Sequence, residues 1–85
     1  MNWHLQIARR AGKALEKLPA EDRRSIRSAL EAMRSDPFGG DIKRLRNERS
    51  AWRRRVGSYR IFFDVHPEAL TVNVVEIARR TSATY

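Results

Sequence analysis

The sequence contains no cysteine, which excludes disulfides and thiolate metal sites and suits a reducing compartment, so the cytoplasm is the expected location. Histidine is almost as scarce. His4 and His66 have no second histidine or cysteine at ligand spacing, so no metal site is expected. No apolar run approaches the roughly 20 residues that span a bilayer, and the N-terminus lacks the layout of a signal peptide; no membrane association is expected. Acidic residues are few, 10 Asp and Glu against 18 Lys and Arg. The three prolines and four glycines are too few to interrupt much of the chain.

What is present is a folded, basic, single domain. Eighty-five residues, 41% of them hydrophobic and 33% charged, make one domain, 1–85, with a small core, and are too apolar for a disordered basic tail. The formal charge of +8 is not spread evenly. Residues 42–60 hold Lys43, Arg44, Arg46, Arg49, Arg53, Arg54, Arg55 and Arg60 against the single acid Glu48, a local balance of +7. Such a concentration is the electrostatic footprint of a protein that meets phosphate, and the planar guanidinium fork matches phosphate better than a flexible ammonium does. Nucleic acid is therefore the first partner to consider.

The apolar pattern divides the chain into elements. Trp3, Leu5 and Ile7 alternate with His4 and Gln6, a period of two that predicts a first strand over 2–8. Ala8, Ala11, Leu15 and Leu18 then fall at helical spacing until Pro19 interrupts them. Pro19 opens a second helix in which Glu21 and Asp22 suit the positive N-terminal end and Ile26, Ala29, Leu30 and Met33 form one stripe, ending near Arg34 or Ser35. Asp36-Pro37-Phe38-Gly39-Gly40 reads as a loop. A short basic segment over 42–45 follows, then strands near 52–56, 59–65 and 71–78, joined at Gly57-Ser58 and His66-Pro67-Glu68-Ala69.

Connections this short favour an antiparallel meander, since a parallel crossover needs a dozen or more residues. The fold class is α+β, with two helices packed on a mostly antiparallel, three- to four-stranded twisted sheet. Tyr59, Ile61, Phe63 and Val65 are assigned to the helix side, and Arg60, Phe62 and Asp64 to the open side. Arg53 and Arg55 should join Arg60 there. Val72 and Val74 imply one parity in the last strand and Val75 and Ile77 the other, so a bulge near Val75 is expected. Trp3, Trp52, Tyr59 and Phe63 read as core, and Phe62 as the better platform for stacking a base.

The order strand, two helices, basic loop and three strands resembles the RelE/ParE superfamily of toxins from bacterial and archaeal toxin–antitoxin systems. The resemblance spans the whole chain. It rests on Lys17-Leu18-Pro19, on Asp36-Pro37-Phe38 followed by Lys43 and Leu45, on Trp52-Arg53-Arg54-Arg55-Val56-Gly57-Ser58-Tyr59-Arg60, and on Ile77-Ala78-Arg79-Arg80-Thr81-Ser82-Ala83-Thr84-Tyr85. RelE-like members cleave messenger RNA in the ribosomal A site without metal or cofactor, and ParE-like members inhibit DNA gyrase. The two branches share a fold, so the fold alone does not choose between them. The chain looks closer to the RelE branch.

The resemblance implies that Arg60 holds the scissile phosphate, that Arg53 and Arg55 assist from the neighbouring strand, and that Arg80, or Arg79 by a one-residue shift, stands on the leaving-group side. Arginine, with a pKa above 12, helps electrostatically rather than as an acid. Tyr85 matches a C-terminal tyrosine that stacks on a base or assists proton transfer. Lys43, Arg44, Arg46, Arg54, Arg79 and Phe62 are expected to contact RNA or ribosome. The chain departs from several relatives in having no histidine beside its C-terminal arginine, and its general base stays unassigned, with Asp41, Glu48 and Asp64 the carboxylates in view. A cognate antitoxin is the implied protein partner, with operator DNA reached only through the antitoxin complex. Inhibition of gyrase, or a non-catalytic module that only binds antitoxin or nucleic acid, are the alternatives.

Overall fold

The computed structural model describes residues 2–46 and 50–79. Arg49 and Glu48 of the basic segment, together with Arg80 and Tyr85, lie outside them. Strand β1 (His4–Ile7) leads into helix α1 (Arg9–Glu16) and helix α2 (Ala20–Ser35), followed by strands β2 (Asp41–Arg44), β3 (Trp52–Val56), β4 (Tyr59–His66) and β5 (Thr71–Arg79). A short 3-10 turn, Pro67–Ala69, joins the last two strands.

Helix α1 ends at Glu16, two residues before the last apolar position of its pattern. Its last carbonyl is not left bare: Arg23 of α2 donates from Nη1 to the Glu16 carbonyl at 3.3 Å, and to that of Leu18, beyond the helix, at 3.2 Å. Pro19 sits at the cap position directly before α2, with Glu21 and Asp22 in the first turn. The expected stripe Ile26, Ala29, Leu30 and Met33 is the buried face of α2. Asp36 closes this helix, and its Oδ1 accepts a hydrogen bond from the Phe38 amide at 3.0 Å.

The sheet order is β1-β5-β4-β3-β2. Strands β2 to β5 form the expected antiparallel meander, and β1 lies parallel to β5, with Leu5 beside Val72 and Ile7 beside Val74. The α+β class therefore holds, while the strand count is five rather than three to four. The added strand is β2, four residues read from sequence only as a basic segment. An edge strand needs a partner on one side only and is commonly rich in charge, so it carries little apolar signal.

Both helices cover one face of the sheet. Phe63, Ile61, Ile26, Met33, Val72 and Val74 are fully buried between the layers. The parity conflict in β5 resolves as expected: Phe62 pairs with Glu76 and Phe63 with Val74, which leaves Val75 as an extra residue. The bulge lets Val74 and Ile77 both reach the core, although they are three residues apart.

Candidate nucleic-acid interface

Residues directly opposite each other in an antiparallel ladder project to the same face, so the register assigns every strand residue to a side. Two rows cross the open face. One runs Asp41, Arg55, Arg60, Ala78, and the other Lys43, Arg53, Phe62, Glu76. The expected grouping of Arg53, Arg55, Arg60 and Phe62 is thus met in position, and Lys43 is added from the edge strand. Arg53, Arg60 and Phe62 are half-buried, whereas Lys43 and Arg55 are exposed.

Arg55 and Arg60 are directly opposite across the β3–β4 hairpin. Gly57 has φ 58° and Ser58 stays outside the left-handed region, the sign pattern of a II′ turn with glycine first. Counting outward from that two-residue turn, Arg55 and Arg60 occupy a non-hydrogen-bonded pair, whose Cα atoms are about 4.5 Å apart. Like charges so placed are destabilising. On one flank Arg55 Nε lies 3.5 Å from Asp41 Oδ2, with both side chains about half exposed, and such a pair contributes little. An anion bound between the two guanidinium groups would meet both of them.

The other basic residues go elsewhere. Arg54 is opposite the buried Ile61 and so belongs to the helix side, where its guanidinium passes over Gly40. A Cβ at Gly40 would stand 2.7 Å from Arg54 Cζ, so a larger residue there would displace the guanidinium. Arg44 is opposite Trp52 on that same side and lies over its ring, 5.2 Å from the centroid, while Phe38 meets the ring edge-on at 5.3 Å. Arg46 lies in a bend beyond β2. Arg54 and Arg44 therefore do not join the Arg60 group. Neither does Arg79, which is opposite Tyr59 and faces the helix side.

Around Arg79 is a separate polar notch of about 240 Å³, formed with the Gly57-Ser58 turn, Tyr59 and the start of α2. In it the Tyr59 hydroxyl donates to Asp22 Oδ2 at 2.9 Å. That hydrogen bond, then burial, then the Asp22 charge raise the tyrosine pKa above its usual 10.0, with Arg79 opposing them. Asp64, one of the carboxylates in view as a base, accepts the Ala51 amide at 2.6 Å and pins the loop before β3.

Glu76 was not anticipated on this face. In an unbroken alternation from Val72 and Val74 it would point into the core, and only the bulge at Val75 turns it outward. The mixed parity of Val74, Val75 and Ile77 was the available signal. Among the described residues no three His, Cys, Asp or Glu side chains group as metal ligands, and no helix is long and apolar enough to cross a membrane.

Comparison with known proteins agrees with this geometry. The putative toxin RelE1 of Methanocaldococcus jannaschii is 27% identical over 86 residues, covering 98% of this chain and 96% of that one. The crystal structure of the archaeal RelE–RelB complex from Pyrococcus horikoshii OT3 contains a chain with the same fold, at a TM-score of 0.84 and 21% identity, covering 96% of this chain and 99% of that one. A chain of the toxin–antitoxin complex RelBE2 from Mycobacterium tuberculosis shares it at a TM-score of 0.82 and 22% identity, covering 94% and 93%. The model of the family described as the ParE toxin of the type II toxin–antitoxin system, parDE, matches residues 5–83, and with a RelE-like sheet beneath nearly its whole length the chain belongs to that RelE/ParE family of type II toxins.

Proposed function

We propose that this toxin cleaves messenger RNA in the ribosomal A site, without metal or cofactor, and that a cognate antitoxin silences it. The observation that carries the reading is the gathering of Arg53, Arg55, Arg60, Lys43 and Phe62 on one open sheet face. RNA cleavage of this kind uses the 2′-hydroxyl as nucleophile against the adjacent phosphate. It needs in-line geometry, stabilisation of the extra charge on phosphorus oxygens, a base and an acid. In the proposed complex Arg60 and Arg55 hold the scissile phosphate, and Arg53 and Lys43 guide the flanking backbone. Phe62 stacks on a base. Arg80 and Tyr85 complete the leaving-group side in this reading.

Arginines on a sheet are fixed by the ladder beneath them, so charge stabilisation requires little reorganisation when the transition state forms. The ribosome supplies what a shallow face lacks, a message held with its backbone bent into place. The site of action is accordingly the cytoplasm. The solved complexes of RelE-like chains with RelB support an antitoxin partner for this chain too. A segment with acidic and apolar residues would complement the +8 charge and bind with a salt-dependent affinity.

The parDE description of the matching family favours a second reading, inhibition of DNA gyrase, which needs a binding surface and no phosphate chemistry. The two separate in one experiment: a defined message on programmed ribosomes, with naked RNA alongside, treated with the wild-type chain and with Arg60→Ala. Cleavage confined to the A site and lost in the variant supports the endoribonuclease. An intact message, with loss of supercoiling by gyrase, overturns it.

A further inference from the structure

We infer that Glu76 is the general base of this site, the group that takes the proton from the attacking 2′-hydroxyl; the inference rests on the endoribonuclease reading above. The bulge at Val75 turns Glu76 onto the open face, directly opposite Phe62. Arg60 is opposite Ala78, two residues further along β5, so Arg60 and Glu76 are diagonal neighbours with Cα atoms about 7–8 Å apart. Two long side chains at that separation converge on one nucleotide, the guanidinium on its 3′-phosphate and the carboxylate on its 2′-hydroxyl. Ala78 is the small residue that leaves space beside them.

The other described carboxylates of this face stand further from Arg60. Asp41 is on the exposed edge strand, two strands away, beside Arg55 at 3.5 Å. Asp64 is four residues along β4 from Arg60, on the far side of Phe62, at about 3.4 Å per residue, and its Oδ1 holds the Ala51 amide at 2.6 Å. Glu48 lies outside the described residues. Glu76 is half-buried and stands beside both the stacking platform and the phosphate-holding arginine. A β-bulge is a common device for re-aiming one side chain at a site.

The step balances without an external oxidant or reductant. Glu76 accepts the 2′-hydroxyl proton, and the 2′-oxygen forms a bond to phosphorus. The bond from phosphorus to the 5′-oxygen breaks, and the leaving oxygen takes a proton from solvent. The products are a 2′,3′-cyclic phosphate and a 5′-hydroxyl.

The test is single-turnover cleavage on programmed ribosomes from about pH 5 to about pH 9, using the wild-type chain, Glu76→Gln and Glu76→Asp. Each is also titrated with a message carrying a 2′-deoxy nucleotide at the cleavage position, which binds but does not react. A general base predicts that Glu76→Gln loses about 100-fold or more in rate and keeps its affinity for the deoxy message at every pH. Glu76→Asp, which keeps a carboxylate, recovers part of that rate, and decides the matter if the glutamine variant does not fold. Cleavage by Glu76→Gln within threefold of wild type overturns the inference and leaves the endoribonuclease standing. So does a loss of rate matched by a loss of deoxy-message binding, the behaviour of a residue that only positions Arg60. A wild-type chain that cleaves nothing removes the parent reading and this assignment with it.

Discussion

The Tyr59 hydroxyl donates a 2.9 Å hydrogen bond to Asp22 Oδ2, and so ties the first turn of α2 to the strand residue directly before Arg60. Tyr59 faces the helices and Arg60 the open side, so the bond fixes from beneath the backbone that presents the arginine above. The tyrosine pKa is raised first by this hydrogen bond, then by burial and the Asp22 charge. A pKa raised in the folded state means that the folded chain holds the proton more tightly than the unfolded one. The contribution is complete below about pH 10, the unfolded value, and is lost as pH climbs through the raised value. Urea unfolding should therefore show wild-type stability falling above about pH 10 more steeply than that of Tyr59→Phe, with the variant modestly less stable at neutral pH. Parallel curves would show that Tyr59 does not carry the alkaline transition.

Arg55 and Arg60 lie directly opposite each other on the β3–β4 ladder, so a phosphate bound between them would meet both guanidinium groups. Replacing either by alanine should weaken RNA binding and lower the slope of log K against log salt by about 0.7 for each phosphate of a single strand that is no longer neutralised. Arg54→Ala, from the opposite face, should leave the slope unchanged. Titrations of a short single-stranded RNA at several salt concentrations would separate the two faces, and equal effects would mean that RNA does not prefer the open face.

Gly57 and Gly40 both have positive φ, 58° and 79°, yet they differ in surroundings. A Cβ at Gly57 meets nothing within 4 Å, whereas one at Gly40 meets the Arg54 guanidinium. Gly57→Ala should cost about 1–2 kcal/mol through backbone strain alone. Gly40→Ala should cost about the same with a small addition for displacing Arg54, and Arg54→Ala should remove only the addition. Thermal melts of the single and double variants would show this partition.

Deleting Val75 removes the residue that Phe62–Glu76 and Phe63–Val74 pairing leaves over. Val74, Glu76 and Ile77 would then be consecutive and alternate regularly, with Val74 and Ile77 still in the core and Glu76 still on the open face. The deletion should therefore fold and melt close to the wild-type chain, losing only the contacts of the half-buried Val75 side chain. Val75→Ala, which keeps the count, should be mild as well. A deletion variant that does not fold would mean that Val75 is not the residue left over by the pairing.

Much of the site was legible from periodicity. The alternation of Tyr59, Ile61 and Phe63 with Arg60 and Phe62 placed those residues correctly, because a strand with one buried face leaves no freedom in which side each residue takes. Arg53 and Arg55 followed by the same rule from Val56. Arg44 and Arg79 carried no comparable signal, because a long arginine on the helix side can keep its charged head in water or beside a polar or aromatic partner. Arg44 shields Trp52 and Arg54 crosses Gly40. The one-residue ambiguity between Arg79 and Arg80 was of the same kind, and the pairing of Arg79 with Tyr59 places Arg79 on the helix side.

By itself the sequence determined which segments are helix and strand, which stripe of α2 is buried, where the turns fall and that the charge is concentrated in residues 42–60. These follow from local periodicity and turn chemistry, which act between residues close in the chain. Only the tertiary structure decided that Asp41–Arg44 is an edge strand, that β1 pairs parallel with β5, that Asp22 reaches Tyr59, and that Glu76 joins Arg60 on the open face. Each of these is a contact between segments far apart in the chain, set by the register of one strand on another and, for Glu76, by a single unpaired residue that shifts that register.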